Sequence, residues 1–132
     1  MLYCVQMARN NLKNIQKEIS TLLDQIENLS SMLKGSYGIA YRRCGKSNCK
    51  CASEDSKAHP FFRLSWTENG KQYTRTISDD DQDWIRLQVE NYKLFRKNKR
   101  KIRLLQKKLG DKLTILEQKM IKETREEREY LN

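Results

Sequence analysis

Val5, Ala8, Leu12, Ile15, Ile19, Leu22, Ile26, Leu29 and Leu33 follow one another in alternating steps of three and four residues. A strand, with its period of two, has no use for such steps. A helix that buries one stripe does, and holding the spacing over four heptads is the signature of a coiled coil. β-Branched residues at Val5, Ile19 and Ile26, with leucine frequent in the other series, lean toward a two-stranded seam. Leu23 and Met32 widen the stripe, which favours a bundle with a further helix alongside. Gly35 and Gly38 are expected to stop the helix, so the first segment is read as residues 1–34.

A similar spacing returns after Ser78. Ile85, Gln88, Tyr92, Phe95, Lys99, Ile102, Gln106, Leu109, Leu113, Leu116 and Met120 again alternate three and four. The spacing runs through Gly110 without a change of phase, which predicts one long helix within 79–132. Ser78 and the acids Asp79, Asp80 and Asp81 suit its start, where a hydroxyl or carboxylate can take up unpaired N–H groups.

Residues 35–78 differ in kind. Phe61 to Thr67 and Gln72 to Ile77 are rich in aromatic and β-branched residues, and Asn69-Gly70 between them is the pair that a type I′ turn requires. That turn places Trp66 opposite Tyr73, Leu64 opposite Arg75 and Phe62 opposite Ile77 on one face. The polar face pairs Ser65 with Thr74 and Arg63 with Thr76. The expected architecture is therefore mainly α, with two long coiled-coil helices flanking a small zinc knuckle plus β-hairpin.

The knuckle is inferred from Cys44, Cys49 and Cys51, a C-x4-C-x-C set, followed by His59. Three thiolates and an imidazole suit a closed, tetrahedral structural Zn site, and a loop of this size gains its folding energy from such a metal. Gly45 fits a tight turn beside the first sulfur. The alternatives are three free thiols with a surface histidine, or an iron–sulfur cluster. Cys4, in the first helix, reads as a packing residue; it replaces His59 as a ligand only if that helix folds back onto the knuckle.

At Arg42-Arg43-Cys44-Gly45, Cys49-Lys50-Cys51, His59-Pro60-Phe61-Phe62 and Gly70-Lys71 the chain resembles a family of small uncharacterised bacterial and archaeal proteins. That family has an R-x-C-G-x-x-x-C-x-C stretch, then an H-G-P-Y-type stretch, a short strand, a G-K turn and a long basic helix. The resemblance covers roughly residues 36–95, and this chain lacks the Gly between His59 and Pro60. It implies the company of mobile elements and phage-like genes, and no settled biochemical activity.

Charge supplies the functional expectation. The 132 residues carry 27 Lys+Arg against 17 Asp+Glu, a net +10. Between Lys93 and Lys108 there are nine Lys/Arg and no acid. A helix of that length is about 24 Å long and spans several phosphates. Lys99 at a seam position is expected to weaken pairing there, as where two chains diverge. Nucleic-acid contact is thus expected from Arg42, Arg43, Lys46, Lys50, Arg96, Lys97, Arg100, Lys101, Arg103 and Lys107. Phe61 is the only clear aromatic near the free hairpin face, which argues against stacking of single strands. No base-reading set stands out, so phosphate contact is better supported than sequence recognition.

No catalytic set emerges. Asp79, Asp80, Asp81 and Asp83 have the composition of a Mg²⁺ site but sit where a helix cap belongs. No general base stands beside the knuckle, and there is no Gly-rich phosphate loop. The expected protein is therefore not an enzyme in its own right. It is a homo-oligomer that binds DNA or RNA. The alternative is a coiled-coil scaffold or adaptor subunit of a larger protein complex, and a third reading is an accessory fragment of a transposase or nuclease. The start, MLYCVQMARNN, lacks the basic and apolar regions of a signal peptide, and no run of apolar residues approaches a membrane span. A reducing cytoplasmic setting follows, with thiols or metal ligands in place of disulfides.

Overall fold

The apolar stripe of the first segment does form a helix, Leu2–Glu27 (α1), in the computed structural model of the chain. The structure describes residues 2–43, 45–48 and 58–132, and the backbone alone at 2–4. The order is α1, then strands Ser36–Arg42 (β1), His59–Glu68 (β2) and Lys71–Thr76 (β3), a 3₁₀ turn at Asp79–Asp81, the long helix Gln82–Glu126 (α2) and a second 3₁₀ turn at Glu129–Leu131. The protein is thus mainly helical with one antiparallel sheet, in the order β1-β2-β3. It divides into two compact units, residues 1–29 with 94–132, and residues 30–93. No helix of the described residues is long and apolar enough to cross a membrane.

In the helical unit, α1 runs antiparallel to the later part of α2: Glu18 meets Lys101, and Gln25 meets Asn98. Ile15, Leu22, Ile102 and Leu105 form the core, with Ile19, Ile26 and Leu109 packed against it. Every stripe residue of α1 from Val5 to Ile26 is buried or half-buried, as the spacing requires. The stripe of α2 differs from the expected one. Lys99 and Gln106 are exposed, while Asn98 and Leu105 are buried. Tyr92, Phe95 and Asn98 follow in two successive steps of three, which turns the buried face back by one residue. Lys99 therefore sits outside the seam, and the expected weakening of pairing there is removed.

α1 stops at Glu27 and does not run to Lys34. Leu29 N donates to Ile26 O at 3.0 Å, a tightened last turn, and Asn28, Ser30 and Ser31 compete poorly as helix formers. Leu33 instead joins the sheet unit. Its N–H donates to Gln88 O at 3.0 Å, while Asn91 Nδ2 donates to Ser31 O at 3.0 Å.

In the sheet unit, Phe62, Leu64, Ile85 and Val89 form the core, closed by Leu33, Tyr37, Trp66 and Ile77. The hairpin register is the one the Asn69-Gly70 turn dictates. Trp66 pairs with Tyr73 and Leu64 with Arg75, and both turn residues have positive φ, 52° and 79°. Ile77 N donates to Phe62 O at 2.9 Å, extending that register. β1 is the element that sequence reasoning missed. It pairs along β2 from Ser36↔Ser65 to Arg42↔His59. Gly35 permits its entry: a Cβ there would lie 2.8 Å from Ser65 O. At the start of α2, Ser78 makes no side-chain cap. Asp79 Oδ1 accepts from Gln82 Nε2 at 2.8 Å instead, and Asp81 N donates to Ser78 O at 3.1 Å. α2 passes through Gly110 unbroken.

Candidate nucleic-acid interface and metal centre

The later part of α2 separates two rows of side chains. Asn98, Ile102, Leu105 and Leu109 are turned toward α1. Arg96, Arg100, Arg103 and Lys107 each stand two residues earlier and are exposed. Two residues are about 200° of helical rotation, so each cation lies on the side opposite a buried neighbour. The row repeats in steps of four, three and four, so its charges lie in a line about 16 Å long. Among the described residues these four make no ion pair.

The other cations of the run fall elsewhere. Lys97 and Lys101 are exposed on the flank of the row, and Lys101 Nζ lies 3.6 Å from Glu18 Oε1. Lys93 belongs to the sheet unit, where its Nζ is 3.3 Å from Glu90 Oε1 and 5.8 Å from the centre of the Tyr37 ring. The sixteen-residue run is therefore a narrower row than the sequence count implied. Its most regular members are the three arginines and Lys107.

The second set of expected cations lies around the connection between β1 and β2. Arg42 ends β1, and its guanidinium carbon sits 4.3 Å from the centre of the Phe61 ring. Arg43 and Lys46 are exposed, and Lys50 lies outside the described residues. Arg63, not among the expected contacts, is exposed on β2 between buried Phe62 and Leu64. Its signal was the strict alternation of β2, which sends every second side chain to the open face.

Of the expected metal ligands, only His59 is described. It opens β2 and is paired with Arg42, two residues before Cys44 in sequence. Gly45 has φ +81°, a backbone conformation that glycine adopts without strain. Cys44, Cys49 and Cys51 lie outside the described residues, as does the side chain of Cys4. Among the described residues no three His, Cys, Asp or Glu come together as a metal would need, and this includes the acids at 79–83.

No curated protein and no solved structure is significantly similar to the chain. A family model does match, over residues 12–87, from α1 through the whole sheet and into the start of α2. That match spans more than half of the sequence, and the chain belongs to the family described as a domain of unknown function (DUF6788).

Proposed function

We propose that this is a non-enzymatic nucleic-acid-binding protein in which the basic row of α2 lies along a phosphate backbone. The observation that carries the reading is the row itself. Arg96, Arg100, Arg103 and Lys107 stand opposite the buried stripe, exposed and without ion pairs among the described residues. A solvated helix face normally interleaves its charges with acids, and this one has none from Lys93 to Lys108. Lys97, Arg42, Arg43, Lys46 and Lys50 add positive charge outside the row.

Zinc belongs to the same proposal. Cys44, Cys49, Cys51 and His59 supply a donor set of the structural type, and the pairing of His59 with Arg42 brings the last donor to the sheet end from which the cysteine segment leaves. Metal there would close the connection between β1 and β2 and hold its cations in place. Cys49→Ser is expected to abolish stoichiometric zinc, measured by elemental analysis of the purified protein; retained zinc would contradict the ligand set.

The helices form a coiled coil in this reading, and a second copy of the chain completes it. Past Leu109 the stripe of α2 continues through Leu113 and Met120, which remain 50% and 42% exposed. The same exposure favours the second reading, an adaptor that joins a larger complex through apolar helix faces.

The test is affinity for DNA and RNA across a salt series, with the zinc content of the protein known. A steep fall of log K with log salt is expected, about −0.9 per phosphate neutralised on duplex DNA. Replacing Arg96, Arg100, Arg103 and Lys107 together by Ala is expected to flatten that slope by about 3 to 4. Absence of binding at low salt would move the assignment to the adaptor.

A further inference from the structure

The hairpin face that was short of aromatics on sequence grounds becomes a different surface once β1 is added. Its cross-strand rows are Ser36, Ser65 and Thr74, then Gly38, Arg63 and Thr76, then Ala40 and Phe61. Arg42 follows at the end of β1 and covers the Phe61 ring at 4.3 Å. Ser65 Oγ and Thr74 Oγ1 are 3.2 Å apart, so that one hydroxyl donates to the other.

Three features of this face select a ligand class. Its charged strand residues are Arg42 and Arg63, and no Asp or Glu occupies a position on it; Glu68, paired with Lys71, belongs to the opposite face. Its one large apolar side chain is Phe61, too little for the apolar centre of a protein–protein interface. Gly38 and Ala40 leave the middle of β1 low, so planar groups can approach the sheet, and the hydroxyls of Thr74 and Thr76 line the far side.

We propose that this open face binds an unpaired stretch of nucleic acid. A base would stack on the Arg42–Phe61 pair, Arg63 would hold a phosphate, and the hydroxyls would meet base edges or sugar. The inference rests on the nucleic-acid reading and adds the strandedness of the ligand. Geometry chooses the single strand. The major groove of a duplex admits a helix or a two-stranded ribbon, and three strands side by side are too wide for it. Unstacked bases, in contrast, lie flat against exposed aromatic and guanidinium planes. Arg42, held over the ring, is ordered before a base arrives.

The test uses the full-length protein and three labelled probes: an oligothymidylate, an oligouridylate and a duplex with the same number of nucleotides. Phe61→Leu with Arg63→Gln is expected to weaken binding of one or both single strands by about tenfold or more, the scale of a lost base stack, while duplex affinity stays unchanged. Arg63→Gln alone changes an exposed side chain and serves if the double variant does not fold, as judged by tryptophan fluorescence. Unchanged single-strand affinity overturns the inference, and so does an equal loss on duplex and single strand, which would mean only a general charge effect. The Ala variant of the α2 row separates the two claims. If it abolishes binding and the sheet variant changes nothing, the α2 reading stands and the sheet inference falls. If the native protein binds none of the probes, the nucleic-acid reading fails and this inference falls with it.

Discussion

Asn98 and Gln88 are both buried amides on α2, 2% and 3% exposed, but one belongs to the helical unit and the other to the sheet unit. Asn98 Nδ2 donates to Leu22 O at 3.2 Å and to Gln25 Oε1 at 2.9 Å. Among the described residues, Gln88 Oε1 has no hydrogen-bond partner. A satisfied polar group in a helix seam fixes which residues face each other, at some cost in stability compared with leucine. An unsatisfied one only costs. The helical unit therefore uses its buried amide to set register. The sheet unit needs no such device, because turn geometry and backbone pairing already set its register.

The largest effect expected is in the core of the sheet unit. Phe62 is 5% exposed and stacks on Tyr37 with ring centres 5.5 Å apart. Phe62→Ala is expected to cost about 3–5 kcal/mol. Both tryptophans, Trp66 and Trp84, lie in this unit, while most of the helical signal comes from α1 and α2. Urea unfolding followed by fluorescence and by far-ultraviolet circular dichroism should therefore diverge for this variant, with fluorescence lost first. Ile102→Ala in the helical unit, at about 2–5 kcal/mol, should move the dichroism transition most. Coincident transitions in both variants would show that the two units unfold as one.

Two glycines give an intermediate contrast within the sheet unit. Gly35→Ala puts a methyl group 2.8 Å from Ser65 O and is expected to destabilise by about 1–3 kcal/mol, whereas Gly38→Ala meets nothing within 4 Å. Gly38→Ala should be neutral or stabilise by up to about 1 kcal/mol, because alanine orders more cheaply in a strand. Thermal melts of the two variants compare the effects, and equal melting points would mean that β1 does not enter beside Ser65.

The smallest and most diagnostic pair returns to the amides. Gln88→Leu removes an unpartnered carbonyl oxygen and is expected to stabilise by about 1 kcal/mol. Asn98→Leu removes two hydrogen bonds. It is expected to change stability little but to loosen the pairing of α1 with α2, read as broadened amide resonances or a mixture of oligomeric states. A uniquely paired Asn98→Leu protein would show that apolar packing alone sets the register.

Much of the fold is legible in the sequence because the relevant forces are local. The seven stripe residues of α1 from Val5 to Ile26, the Asn69-Gly70 turn and the continuity of α2 through Gly110 each follow from spacing or from one residue pair. The basic run was visible, but not which of its members form a row. That depends on the two steps of three from Tyr92 to Asn98, and counting in fixed heptads passes over them.

Sequence alone determined that the chain makes two helices of one stripe each, a hairpin of known register, and a concentration of positive charge on the second helix. Each is written in periods of 3.6 or 2, or in the positive φ of a two-residue turn. Only the tertiary structure decided three further points. α1 ends at Glu27 because Leu33 is drawn into the sheet unit and its N–H bonds to Gln88 O. Ser36–Arg42 becomes a strand because β2 offers it a partner edge. Asn98 takes the buried place that spacing assigned to Lys99, because an amide can be satisfied there by Leu22 and Gln25 while an ammonium group would have to be stripped of water. In each case a partner distant in sequence takes part, so no local pattern contains the whole cause.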